Sequence, residues 1–299
     1  MKPLLASLLL LATLTLPCLV RAAEDERPVV DASKVRVEAA ANPALPTFHI
    51  VGDSTVRSGG TGVGLWGWGE RIAPFFDPAK INVVNHAIGG RSARTFYTEG
   101  RWDKVTAAIK PGDYVIIQFG HNDGGRIGDP ANKHRADGPG LGEETVPDTK
   151  ADGTQELVHT FGWYMAKFVD SAKAKGATVI VCSPIPHKQR WEKGRDFANF
   201  AQWDQELAQK HGAQFFDLTL VVTAAYKKAG PEIVATYFAD KGTHTTDTGA
   251  QLNAACVVAG LKSLPGNPLG PYFSEKGMAV APYVPATASP AAPEPTKTE

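Results

Sequence analysis

Thr47-Phe48-His49-Ile50-Val51, running straight into Gly52-Asp53-Ser54-Thr55, is the stretch that decides the fold. A short, nearly continuous apolar run closed by a turn signal is what a parallel strand needs when helices cover both of its faces. Four more runs follow the same pattern: Ile81-Asn82-Val83-Val84-Asn85, Tyr114-Val115-Ile116-Ile117-Gln118-Phe119, Thr178-Val179-Ile180-Val181-Cys182 and Gln214-Phe215-Phe216-Asp217. Helical patterns separate them, over residues 67–76, 102–109, 156–175, 197–211, 218–228 and 246–263. Strands alternating with helices predict a single doubly wound α/β domain around a central parallel five-stranded sheet. The polar stretch 124–154, rich in Gly, Asp and Pro, reads as a long functional loop over the active face.

Outward from this centre, both ends change character. Lys2 precedes an apolar run from Leu4 to Val20 that closes on Arg21-Ala22-Ala23, the pattern of a cleaved secretory signal over 1–22. Pro17 interrupts the run, which is too short for a spanning helix, so no stable membrane insertion is expected once the signal is removed. The expected location is secreted or periplasmic. Residues 23–45 read as a linker with one possible edge strand at Val35-Arg36-Val37, 46–280 as the domain, and 281–299 as a Pro/Ala/Thr-rich tail with too few bulky side chains to order itself.

The 299 residues are 43% hydrophobic and 21% charged, which excludes global disorder. Thirty-one basic residues balance 31 acidic ones, and loss of Lys2 and Arg21 leaves a slightly acidic mature chain. No basic field exists to hold phosphate backbones, so nucleic acid is not an expected partner. Cys182 closes an apolar strand and Cys256 lies in a helical run, so buried free thiols are expected rather than a bridge.

In an open parallel sheet, ligands bind outside the carboxyl ends of the strands. Gly52-Asp53-Ser54-Thr55, Gly89-Gly90-Arg91-Ser92 and Gly120-His121-Asn122-Asp123 follow the first three strands, and Asp240-Lys241-Gly242-Thr243-His244 precedes the last helix. These supply the parts of an acyl-transfer site. Ser54 is a weak nucleophile without a base, His244 is the residue type that titrates near neutrality, and Asp240 would orient its ring. The backbone amides of Ser54 and Gly90 and the side-chain amide of Asn122 are candidate oxyanion donors. Singly, each motif is also an ordinary turn or cap, and their joint placement at strand exits or helix starts is what favours catalysis.

With Ile50-Val51-Gly52-Asp53-Ser54-Thr55, Arg91-Ser92-Ala93-Arg94, Phe119-Gly120-His121-Asn122-Asp123 and His244-Thr245, the chain resembles the SGNH (GDSL) hydrolases. Through Trp66-Gly67-Trp68-Gly69-Glu70, Gly90 to Phe96, and Glu99-Gly100-Arg101-Trp102 with Gly112-Asp113-Tyr114-Val115, it is similar to the rhamnogalacturonan acetylesterases, from about Pro46 to Leu264. The resemblance implies a flavodoxin-like three-layer α/β/α sandwich, Ser54 as nucleophile, Gly90 and Asn122 in the oxyanion hole, and His244 as base. It also implies acetyl removal from an acetylated plant cell-wall polysaccharide or oligosaccharide, without a metal or other cofactor. The family places its aspartate three residues before the histidine, where this chain has Lys241. Asp240 stands four back, and Gly242 is expected to absorb the extra residue as a bulge.

His187-Lys188-Gln189-Arg190-Trp191 forms a basic, aromatic loop after the fourth strand, and His187, Arg190 and Trp191 are candidate substrate-binding residues suited to uronate carboxylates and sugar faces. His121, Asp123 and His86 read as turn organisers, and no His-Glu-x-x-His metal spacing occurs. The leading expectation is an exported pectic deacetylase. Alternatives are an esterase for acetylated xylan or a small alkyl ester, and a catalytically weakened carbohydrate-binding protein.

Overall fold

The computed structural model describes residues 38–57 and 64–285. The expected signal peptide over 1–22, the Val35-Arg36-Val37 strand, and most of the expected linker and tail lie outside the described residues. Among the described residues seven strands form in chain order: β1 Thr47–Gly52, β2 Asn82–Asn85, β3 Tyr114–Gln118, β4 Thr145–Thr149, β5 Gln155–His159, β6 Thr178–Cys182 and β7 Gln214–Phe216. Five of them make one parallel sheet in the order β2-β1-β3-β6-β7, the doubly wound flavodoxin-like order once the separate β4-β5 hairpin is set aside.

Alternation within the strands explains why both faces need helices. Phe48, Ile50, Ile116, Ile180 and Cys182 point to one face, into a core shared with α5 (Leu218–Ala229) and α7 (Asp247–Ser263). Val51, Val115, Ile117, Val179 and Val181 point to the other, against α1 (Ala93–Thr98), α2 (Arg101–Ala108), α3 (Phe161–Ala174) and α4 (Ala198–His211). The sandwich has the expected three layers. Two short helices, α6 (Pro231–Thr236) and α8 (Glu275–Met278), complete the set. Cys182 and Cys256 are both free and buried. Among the described residues no helix is long and apolar enough to cross a membrane.

Four segments depart from expectation. Residues 67–76 form two single 3-10 turns, Trp68–Glu70 and Ala73–Phe75, instead of a helix. The Trp68 and Gly69 N–H groups donate to the Thr55 and Val56 carbonyls, which ties this segment to the turn after β1. A helix over 156–175 starts only at Phe161, capped by Thr160, because Gln155–His159 pairs antiparallel with Thr145–Thr149. The stretch 124–154 is therefore not structureless. Its hairpin is fixed by Arg94 of α1, fully buried, which donates to Asp148 at 2.6 Å, to Glu156 at 2.7 Å and to the Ala136 carbonyl at 2.7 Å. Beyond Val280 the chain still packs, since the Tyr283 N–H donates to the Ala259 carbonyl.

Candidate active site

The turn after β1 is tight. Arg57 donates its N–H to the Asp53 carbonyl at 2.9 Å, and a Cβ on Gly52 would lie 2.4 Å from Val56 Cγ2 and 2.6 Å from the Gln118 carbonyl oxygen. Only glycine fits there. Asp53 is fully buried, and its Oδ1 accepts from the Thr55 N–H at 2.8 Å and the Thr55 hydroxyl at 2.7 Å. Burial pushes the Asp53 carboxyl upward, but His121 and the Thr55 donors outweigh it and hold the group below the usual carboxylate range. Gln118, the one amide in an otherwise apolar strand, donates to the Thr55 hydroxyl at 2.8 Å and accepts from the Trp68 indole at 2.9 Å. This buried series fixes the turn that carries Ser54. Trp68 and Gln118 were not among the expected site residues, although an amide inside a buried strand is the signal that marks them.

Ser54 sits at the rim, 9% exposed, with its Oγ 2.8 Å from His244 Nε2. His244 Nδ1 in turn lies 2.6 Å from Asp240 Oδ2. Asp240 Oδ1 accepts the N–H groups of Gly242 at 2.9 Å, Thr243 at 2.7 Å and His244 at 3.1 Å. Burial raises this carboxyl, yet the donors prevail and hold it down to about 2. Asp240 therefore stays ionised wherever an esterase works. That ring of three N–H donors holds the Asp240 carboxylate at the four-residue spacing. Gly242 is not among the positive-φ residues, and a Cβ on it would lie 2.5 Å from the Gln189 side-chain oxygen.

The candidate oxyanion donors follow the exits of β1, β2 and β3, where a Cβ on Gly89 would lie 3.6 Å from Ser54 Cβ. Among the described residues no protein acceptor takes the N–H of Ser54 or of Gly90. Gly90 has φ +74°, a left-handed conformation open to glycine. Asn122 donates Nδ2 to the Arg91 carbonyl at 3.0 Å, which leaves its second amide hydrogen. Asp123, the next residue, accepts from the Ala93 N–H at 2.6 Å and the Gly120 N–H at 2.7 Å, locking the exit of β3 to the start of α1. This grouping of serine, imidazole, carboxylate and unclaimed N–H donors can attack an ester carbonyl, move one proton and hold a tetrahedral oxyanion.

The basic loop after β6 lies against the site, since the Lys188 N–H donates to the Gly242 carbonyl at 2.8 Å and the Gln189 amide donates to the Lys241 carbonyl. Its three candidate residues separate. Arg190 is exposed in a polar cleft with Lys193, Arg195 and Asp196. His187 is tied to Asp196 Oδ2 at 2.8 Å and stacks on Phe197. Trp191 offers no platform: it is 5% exposed, with its indole edge-on to Tyr226 inside the core, so burial of a large apolar ring overrides the sugar-stacking expectation. His86 is likewise an internal group, buried and 2.9 Å from His49, with burial the chief cause of a pKa near 3.

Residues 50–252 match the GDSL-like lipase/acylhydrolase family. The chain is similar to rhamnogalacturonan acetylesterase of Emericella nidulans, with 34% identity over 212 residues that make up 70% of this chain and 81% of that protein. It is also similar to probable rhamnogalacturonan acetylesterase YesY of Bacillus subtilis, with 31% identity over 230 residues, 74% of this chain and 94% of that one. Among solved structures, protein YxiM of Bacillus subtilis aligns with a TM-score of 0.58 at 25% identity over 73% of this chain, and the match spans 56% of the YxiM chain.

Proposed function

This chain belongs to the GDSL-like lipase/acylhydrolase family and is a serine esterase, and on that premise we propose an exported carbohydrate esterase that removes acetyl groups from rhamnogalacturonan or a related pectic polysaccharide. The hydrogen-bonded series Ser54, His244, Asp240 is the observation that carries this reading. In the proposed cycle Ser54 Oγ attacks the acetyl carbonyl while His244 Nε2 takes the hydroxyl proton. The oxyanion is held by the N–H groups of Ser54 and Gly90 and by Asn122 Nδ2. His244 then returns the proton to the departing sugar oxygen, leaving acetyl-Ser54 and a free sugar hydroxyl. A water, deprotonated by His244, attacks the acetyl-enzyme, His244 passes that proton to Ser54 Oγ as the ester bond breaks, and acetic acid leaves and ionises to acetate in solvent. Asp240 steadies the imidazolium in both halves. Export is supported by the Leu4 to Val20 run behind Lys2, and the pectic substrate by the two acetylesterase relatives.

The deciding experiment measures acetate released from acetylated rhamnogalacturonan and from acetylated xylan by the wild-type protein and Ser54→Ala. Release favouring the pectic polymer and lost with Ser54→Ala is expected. Preference for xylan would overturn the substrate, and release undiminished in Ser54→Ala would overturn the site. Detection of the full-length chain, signal included, in the cytosol of the producing cell would overturn export.

A further inference from the structure

We propose that Arg135, from the stretch between β3 and β4, is a positioning residue that sets the Asn122 side chain for oxyanion binding, an inference that rests on the proposed role of Asn122. A side-chain amide has two nearly isosteric orientations, and only the one that turns Nδ2 toward the substrate supplies a donor. Two contacts select it. Arg135 Nη1 donates to Asn122 Oδ1 at 2.7 Å, and Asn122 Nδ2 donates to the Arg91 carbonyl at 3.0 Å. A flipped amide would set its oxygen against the Arg91 carbonyl and its NH2 against the guanidinium, so both contacts would turn repulsive. Arg135 Nη1 also lies 3.6 Å from where a Cβ would sit on Gly90, which puts its charge beside two of the three proposed donors.

The chain on either side of Arg135 is held rigidly for this purpose. Its Nε donates to the Asn132 carbonyl at 2.7 Å and its N–H to Asn132 Oδ1 at 3.3 Å. Lys133 and His134, immediately before it, are consecutive non-glycine residues at φ 59° and 53°. Such strain persists only where the surroundings over-determine it. They do: His134 Nδ1 lies 3.0 Å from Asp148 Oδ1, and the Ala136 carbonyl, just after Arg135, accepts from Arg94 at 2.7 Å. The buried Arg94-Asp148-Glu156 cluster therefore grips both neighbours of Arg135. No acidic side chain pairs with Arg135 among the described residues, so its named side-chain bonds run to Asn122 and Asn132.

The test uses p-nitrophenyl acetate, a neutral ester without a carboxylate, so that any loss reflects the acyl-transfer machinery and not recognition of an acidic sugar. Arg135→Met is expected to lower kcat about 10- to 100-fold with KM within about twofold, below the loss from deleting Asn122 itself. Arg135→Lys, which keeps a donor, should recover part of it. In Arg135→Met/Asn122→Ala the loss should be little greater than in Asn122→Ala, since residues acting through one group are non-additive. Multiplying losses, an unchanged kcat, or a loss confined to KM would overturn the proposal. Should Arg135→Met fail to fold by circular dichroism, Arg135→Gln and Arg135→Lys carry the same comparison. Ser54→Ala and Asn122→Ala run alongside: activity retained in those variants overturns the site reading, whereas activity lost there but kept in the Arg135 variants overturns this inference alone.

Discussion

Ser54 lies between two aspartate-histidine pairs built from similar parts and put to opposite uses. Asp240 and His244 meet at 2.6 Å with side chains 36% and 27% exposed, and the second imidazole nitrogen faces Ser54 Oγ. Asp53 and His121, each one residue ahead of a proposed catalytic group, stand 3.4 Å apart and almost wholly buried. His121 is packed against Phe197 and His187, and its Nε2 meets no acceptor or donor among the described residues. On the proposed assignment, an Asp-His pair serves catalysis where its free nitrogen opens toward a nucleophile, and serves as scaffold where that nitrogen is sealed in the core.

The sharpest way to break this comparison is to delete the open pair. Ser54→Ala and His244→Ala should each lower kcat on acetylated substrate by about 10⁴-fold or more, and the double variant should be scarcely worse than either. Steady-state rates with circular dichroism to confirm folding check this, and a folded His244→Ala retaining a tenth of the wild-type rate contradicts it. Asp240→Asn comes next, at about 10² to 10⁴-fold, because an amide favours the wrong imidazole tautomer while preserving the shape. A nearly silent Asp240→Asn beside a crippling Asp247→Asn would assign His244 a different partner. Asp247 is occupied instead by Arg71, whose Nε donates to it.

Much of the candidate site was legible in the sequence because Ser54, Gly90 and Asn122 follow strand exits and His244 stands just ahead of the last helix. Val115 and Ile117 flanking Ile116 announce a strand buried on both faces, and Gly120 to Asp123 follow it directly. Segments governed by distant partners were not legible. Gln155 to His159 carry no local signal against a helix, and pair as a strand because Glu156 and Asp148 meet Arg94, more than 50 positions away in sequence. Trp191 reads as an aromatic on a basic loop, and only packing against Tyr226 shows it to be core. Arg135 stands in a polar stretch where nothing local marks it, since its link to Asn122 exists only after the chain has turned back.

The sealed pair should respond to mutation through stability more than rate. Asp53→Asn keeps an oxygen for Thr55 but removes the charge that faces His121, and hydrogen bonds to charged groups contribute about 1.5 to 3 kcal/mol. For a domain of this size that corresponds to a Tm lower by roughly 3 to 12 °C, with kcat reduced less than about tenfold. His121→Asn should behave similarly. If His121→Asn matched His244→Ala in lost kcat while melting like the wild type, the two pairs would not differ in kind.

The smallest effect tests how the protein keeps unpaired carboxyls under the same site. Burial, with the Asp53 charge adding to it, pushes Asp123 up to about 7 against its N–H donors from Ala93 and Gly120, and burial with the Asp123 charge pushes neighbouring Asp137 well above the usual range. Arg94 opposes this at Asp137, while Asp204 of α4, buried with neither carboxyl oxygen bonded among the described residues, is itself pushed well above the usual range by burial and by the Asp123 and Asp217 charges. Below the unfolded value near 3.8 both states hold these protons, and the stability they confer is fully present. As pH rises from there, the unfolded chain releases protons that the folded one retains, so stability falls through about 7, where Asp123 ionises in the folded state, and goes on falling until the raised Asp137 ionises as well. Asp137→Asn removes one of the two competing charges and leaves an amide that can donate to Asp123. Its urea-unfolding free energy should therefore change less between pH 4 and pH 8 than that of the wild type, and exceed it at pH 8 by about 1 to 2 kcal/mol. Activity near pH 5 should stay within about threefold, because Asp123 keeps its bonds to Ala93 and Gly120. Parallel pH-stability curves for the two proteins would mean that the Asp123 and Asp137 carboxyls do not compete for a proton.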